Sequence, residues 1–112
     1  MSEIDRTFAA LADPTRRRVV DLLRGGERRA GELADELSMS APAMSRHLRI
    51  LRTSGLVEEA HDGDDARVRL YRLRQRPFSQ MREWLDEVER FWAGELAAFK
   101  QHAERTRGRS KK

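Results

Sequence analysis

The stretch Ala30 to Leu56, AGELADELSMSAPAMSRHLRILRTSGL, constrains this chain more than any other. Leu33, Ala34 and Leu37 recur at helical spacing and give a short first helix one apolar stripe. Ser38-Met39-Ser40 is a tight polar turn whose one large apolar side chain, Met39, is expected to fold inward. Ser40 suits an N-cap, since its hydroxyl accepts from orphan amides, and Pro42 falls in the first turn, where a missing N–H costs least. Met44, Leu48 and Leu51 then form a second stripe, and Ser54-Gly55 supplies a C-cap. Ser45, Arg46, His47, Arg49 and Arg52 lie on or beside the other faces. Two short helices joined in this way, the second carrying the polar reach, read as a helix-turn-helix.

The flanking segments complete a domain around it. Ile4, Phe8 and Leu11 give a short helix one apolar face. Asp13-Pro14 caps and opens the next helix, in which Val19, Val20, Leu22 and Leu23 are buried before Gly25-Gly26 ends it. After the motif, Leu56–Ala60 has strand character, His61–Asp65 is a polar tip containing glycine, and Arg67–Leu73 alternates. Arg is expected outward and Val or Leu inward, with Tyr71 out of phase by type. These are two antiparallel strands of a wing.

Pro77 opens a last helix expected to reach about Glu104. Its apolar residues, Phe78, Met81, Trp84, Leu85, Val88, Phe91, Trp92, Leu96 and Phe99, fall mostly three or four apart. At ~1.5 Å per residue this helix is about 40 Å long, more than a small domain needs for its own core. Hydrophobic residues are only 38% of the chain, and both tryptophans and three of the four phenylalanines sit in this one segment. A long apolar face of that kind calls for a second copy. The expected interface comprises Ile4 and Phe8 with Trp84, Leu85, Val88, Phe91, Trp92, Leu96 and Phe99. The fold class expected is mainly α with a small β-hairpin wing, a winged helix-turn-helix homodimer through its N- and C-terminal helices. Residues 1–104 form the DNA-binding and dimerisation domain, and 105–112 (RTRGRSKK) are expected to be a basic disordered tail.

Charge points the same way. The chain is +4 at neutral pH, nearly all of its cations are Arg, and Arg contacts phosphate and guanine edges in bidentate fashion. The alternative reading of that bias is a genome composition that favours Arg codons. The expected DNA-binding residues are Ser40, Pro42, Ala43, Ser45, Arg46, His47 and Arg49 on the reading helix, with Arg67 and Arg69 on the wing. For each helix residue the alternative is an ordinary polar face, and His47 has the further option of packing against the domain. Asp62, Asp64 and Asp65 repel phosphate near the wing, and Arg16–Arg18 divide between phosphate contact and a solvated face. No cysteine is present, so disulfides, thiolate metal sites and cysteine nucleophiles are excluded. His47, His61 and His102 are scattered, and no nucleophile or paired carboxylate has a pocket, so neither an enzyme nor a cofactor is expected. There is no signal-peptide pattern and no apolar run near the ~20 residues of a membrane span. A cytoplasmic location with no membrane partner is expected.

Phe8–Leu23 (FAALADPTRRRVVDLL), Gly31–Val57 and the RLYRL at Arg69–Leu73 together resemble the ArsR/SmtB family of bacterial transcriptional regulators. Ser45-Arg46-His47-Leu48, Leu51 and Ser54-Gly55-Leu56-Val57 are the most specific part, and the resemblance covers residues 4 to 100. It implies a winged-helix homodimer that binds double-stranded operator DNA, usually as a repressor on an inverted repeat. Where many relatives hold metal on paired cysteines, this chain has Arg29 and Gly31. On the last helix, Asp86 is followed by Val88, and His102 has Arg105 three residues on. The resemblance is therefore to a cysteine-free branch lacking the family's metal sites, with a small-molecule inducer of unknown identity left open. Two alternatives stand beside it: a sequence-indifferent architectural DNA-binding protein, and a repressor responding to a small molecule in a pocket at the dimer interface.

Overall fold

The computed structural model describes residues 1–62 and 65–110, with side chains outside 62–67 and 108–110. The chain runs α1 (Glu3–Leu11), α2 (Pro14–Leu23), β1 (Arg28–Arg29), α3 (Ala30–Glu36), α4 (Ala41–Thr53), β2 (Val57–Asp62), β3 (Asp65–Leu73) and α5 (Gln75–Ser110). It divides into two compact units, Met1–Gln80 and a second beginning at Met81.

In the first unit α1, α2 and α4 start where a side chain satisfies orphan amides. Ser2 and Asp5 form a reciprocal capping box on α1, each backbone N–H donating to the other's side chain at 3.3 Å. Ser40 Oγ accepts from Ala43 N–H at 3.3 Å and opens α4. That helix closes with a full Schellman pattern: Gly55 N–H donates to Arg52 O at 3.0 Å and Leu56 N–H to Leu51 O at 2.9 Å. Gly55 stands at φ +82°, where a Cβ would be strained.

The turn between α3 and α4 repeats that pattern without glycine. Met39 N–H donates to Ala34 O at 2.8 Å and Ser38 N–H to Asp35 O at 3.2 Å, with Ser38 at φ +53°. Met39 packs against the core, which holds the turn closed. A left-handed conformation costs a non-glycine residue about 1–2 kcal/mol, and Ser38 is exposed. Ser38→Gly is expected to raise stability by about 1 kcal/mol, less the extra freedom glycine gives the unfolded chain. Chemical denaturation measures this, and an unchanged or lower midpoint contradicts it.

The core gathers Val19 from α2, Leu33 from α3, and Met44, Leu48 and Leu51 from α4, together with Leu56 and Val57, all at most 2% exposed. The expected stripes on α3 and α4 are therefore the buried ones. On α1 the buried residues are Thr7 and Ala10, so Phe8 is left outward and Ile4 half-buried. Thr7 is tolerated there because its hydroxyl donates to Glu3 O at 3.1 Å.

The wing differs from expectation in three respects. Its sheet has three strands in the order β1-β3-β2; Arg28 and Arg29 pair with Tyr71 and Leu70, a strand too short to show any periodicity. Strand β3 begins at Asp65 rather than Arg67. The alternation is also not strict: Val57 and Glu59 face Leu73 and Tyr71 across the sheet, so the core side carries Tyr71 and Leu73. Val68 and Leu70 lie on the opposite side with Arg72. Tyr71 is the buried member, because a tyrosine combines a large apolar ring with a hydroxyl that reaches a partner.

The last helix, Gln75–Ser110, opens two residues before Pro77 and stays helical past Glu104 to the last described residue. Arg105 and Arg107 are good helix formers, and Thr106, a poorer one, donates its hydroxyl to His102 O at 3.0 Å. Lys111 and Lys112 of the expected tail lie outside the described residues. In the second unit the apolar residues Trp84, Leu85, Phe91, Trp92, Leu96 and Phe99 are 45–72% exposed. Val88 is half-buried, and the rings of Phe91 and Trp92 meet edge to face with centroids 5.8 Å apart. Among the described residues no helix is long and apolar enough to cross a membrane.

Candidate nucleic-acid interface

Burial of Met44, Leu48 and Leu51 fixes which side of α4 faces outward. Ser45, Arg46 and Arg49 are exposed on that side, Pro42 is exposed in the first turn, and Ala43 is half-buried. Among the described residues Arg46 and Arg49 form no ion pair. Ser40 is engaged as the N-cap, so its hydroxyl already serves the helix. Across a polar cleft of about 190 Å³, Ser45 and Arg49 share walls with Arg69 and Tyr71 of β3, Glu59 of β2, and Leu48 and Arg52 of α4. The cleft thus joins one expected wing contact, Arg69, to two on the helix. The other wing contact, Arg67, has its side chain outside the described residues.

His47 is half-buried and turned toward α2. Arg16 Nη1 lies 3.5 Å from His47 Nδ1; a guanidinium only donates, so the imidazole nitrogen is the acceptor. Arg16 is itself an anchor, with Nε donating to Ala10 O at 2.6 Å and Nη2 to Ala9 O at 3.4 Å. Arg17 Nη1 reaches Leu11 O at 2.7 Å and Ala12 O at 3.1 Å. These carbonyls belong to the last turn and C-cap of α1, where helical partners run out; Ala9 O also accepts from Ala12 N–H at 3.3 Å. Arg16 and Arg17 therefore close α1, Arg16 half-buried and Arg17 still exposed, a role invisible in a run of three arginines.

Asp13 completes this corner. Its Oδ1 accepts from Thr15 N–H at 2.8 Å and Arg16 N–H at 3.2 Å, and its other oxygen lies 3.8 Å from Arg16 Nη1. The Arg16 amide first, then the Thr15 amide and the Arg16 guanidinium, hold its carboxyl below the usual carboxylate range. A depressed folded-state value contributes stability above the ordinary carboxyl range, and the contribution disappears as pH falls through the folded-state value. Asp13→Asn is therefore expected to flatten the loss of stability on acidification below about pH 4. Melting temperature against pH measures it, and parallel curves for the two proteins contradict it.

Glu59 of β2 gathers partners from three directions. Its Oε1 accepts from Arg52 Nη1 and from the Tyr71 hydroxyl at 3.2 Å, with Arg69 Nη1 4.0 Å away. Burial first, and then the Glu59 charge, push the Tyr71 phenol above its ordinary value, so it stays a donor. On the opposite face of the sheet, Arg72 Nε donates to Glu58 at 2.7 Å, and Arg72 Nη1 reaches Glu27 at 3.5 Å. No sequence pattern marks Glu59, because its partners come from elements 7 and 12 residues away.

Known proteins resemble this chain in sequence and fold. The family described as Bacterial regulatory protein, arsR family, matches residues 13–59, from the Asp13 cap to Glu59. The HTH-type transcriptional regulator Rv2034 of Mycobacterium tuberculosis is 40% identical over 97 residues, spanning 87% of this chain and 85% of that protein. An ArsR-like transcriptional regulator from Rhodococcus sp. RHA1 superposes with a TM-score of 0.76 at 34% identity, covering 91% of each chain. The homodimeric winged helix-turn-helix DNA-binding domain of Mb0332 from Mycobacterium bovis superposes at 0.61 with 28% identity, covering 78% of each. With the helical motif, the wing and sequence similarity over most of its length in agreement, the chain belongs to the ArsR family of winged helix-turn-helix transcriptional regulators.

Proposed function

We propose that this regulator works as a homodimeric repressor that binds an inverted-repeat operator in double-stranded DNA. The observation that carries the reading is the outward face of α4. There Ser45, Arg46 and Arg49 stand exposed on a helix whose other side is locked into the core. Arg46 and Arg49 are the candidates for bidentate contact with guanine edges, while Ser40, Pro42, Ala43 and Ser45 bring the first turns of the helix against the backbone. His47, held by Arg16, acts by orienting α4. Arg67 and Arg69 place the wing on the flanking phosphates or minor groove.

Dimerisation rests on the exposed aromatic face of α5, with Ile4 and Phe8 of α1 as the secondary contact. Two-fold symmetry then sets two α4 helices in successive major grooves, about 10 base pairs apart centre to centre. A dimer on such a site within a promoter obstructs polymerase. The protein works in the cytoplasm and has no catalytic role.

Selection from a random duplex pool at fixed salt tests the reading. An enriched palindrome with half-sites one helical turn apart supports it. Recovery of unselected sequence overturns it in favour of charge-driven architectural binding.

A further inference from the structure

Among the described residues, the cleft between α4 and the wing is lined by one carboxylate, Glu59, facing arginines. Glu59 is 22% exposed in its side chain, while Arg52 and Arg69 beside it are 47% and 65% exposed. Arg52 projects from the last turn of α4, Glu59 from β2, and Tyr71 and Arg69 from β3. One oxygen of Glu59 thus joins three elements, two of which carry the proposed DNA contacts. Simple charge counting gives such an acid an adverse role, since it stands beside arginines that are to meet a polyanion. The geometry points the other way.

We propose that Glu59 is a positioning residue for DNA recognition, pinning the wing to the C-terminal end of the reading helix through Arg52 and Tyr71. Arg49 and Arg69 then approach the duplex in fixed register. The inference rests on the DNA-binding reading above and adds two residues to it that touch no DNA: Glu59 as the pin and Tyr71 as its buried support. It also accounts for leaving Arg52 out of the DNA contacts, because its guanidinium is occupied by the carboxylate. A hairpin is marginal by itself in water, and this wing's third strand is two residues long, so the pin governs how much of the wing's orientation is set before DNA arrives.

The two roles predict opposite signs. Glu59→Gln removes the charge but keeps the size and an acceptor oxygen. As a pin, its loss lowers affinity for the selected palindrome about tenfold. Affinity for a scrambled duplex at the same salt holds or rises, so the ratio of the two falls. Tyr71→Phe, which changes no charge, lowers specific affinity in the same direction without altering the salt slope. As a mere repulsive charge, Glu59→Gln strengthens binding to both duplexes in parallel and Tyr71→Phe does nothing. That result, or no change in either variant, overturns the proposal.

Melting of each variant, carried out alongside, establishes that it is folded at the assay temperature. Hydrogen exchange of β2 and β3 amides without DNA gives a separate readout. Faster exchange confined to the wing in Glu59→Gln supports the pin, and unchanged exchange counts against it. If the wild-type protein prefers no duplex, the function proposed above fails, and the exchange result alone decides the fate of the pin.

Discussion

Replacing both Trp92 and Phe99 with glutamate is expected to convert the dimer to monomers at micromolar concentration and to weaken operator binding more than 100-fold. The two residues are one heptad apart on one side of α5 and are 58% and 72% exposed in the single chain. Buried aromatics contribute about 150–250 Å² each to an interface, and truncating a central one commonly costs 2 kcal/mol or more. Each substitution acts twice across a two-fold axis, and glutamate adds a desolvation penalty on top of lost contact. Both sites lie in the unit beginning at Met81, and the buried core residues all belong to the first unit, so the helix-turn-helix should keep its melting transition. Sedimentation velocity measures the association state. A double variant that remains dimeric moves the interface off this face.

Arg46→Ala is expected to lower affinity for the selected operator about 10- to 100-fold, the range of one bidentate base contact, and to relax preference at the base pair it reads. Affinity for scrambled DNA should change little beyond the loss of one charge. Stability should remain within about 0.5 kcal/mol, because Arg46 is exposed and unpaired among the described residues. The dimer should be unaffected. Anisotropy titrations on matched and scrambled duplexes at one salt concentration separate these effects. Equal losses on both duplexes make Arg46 a phosphate contact, and no loss on either removes it from the interface.

What the sequence made legible was whatever depends on local chemistry. Asp13-Pro14, Ser40-Ala41-Pro42 and Ser54-Gly55 are caps whose partners lie within three residues, and each appears where it was read. The stripe Met44, Leu48 and Leu51 is buried because helical spacing fixes it. What escaped depends on tertiary neighbours. Arg28-Arg29 becomes a strand only by pairing with β3. Tyr71 turns inward because Glu59 accepts its hydroxyl. Arg16 is an anchor because α1 ends beside it with the Ala9 and Ala10 carbonyls in reach, and that same guanidinium draws His47 away from the outward face of α4. Among the proposed contacts, the exposed Ser45, Arg46 and Arg49 were readable by elimination, since the core claims the other side of the helix. Glu59 was not, since nothing in an acidic residue of a strand edge reveals which arginines will meet it.

The central claim is that two copies of α4 read one two-fold site. The most direct measurement is binding at fixed salt to the selected palindrome, compared with the same duplex with one half-site scrambled, with stoichiometry determined by sedimentation. The account predicts two chains on the intact site and a loss of at least about 100-fold when one half is scrambled. Equal affinity for both duplexes, or a single chain on the intact site, would contradict it.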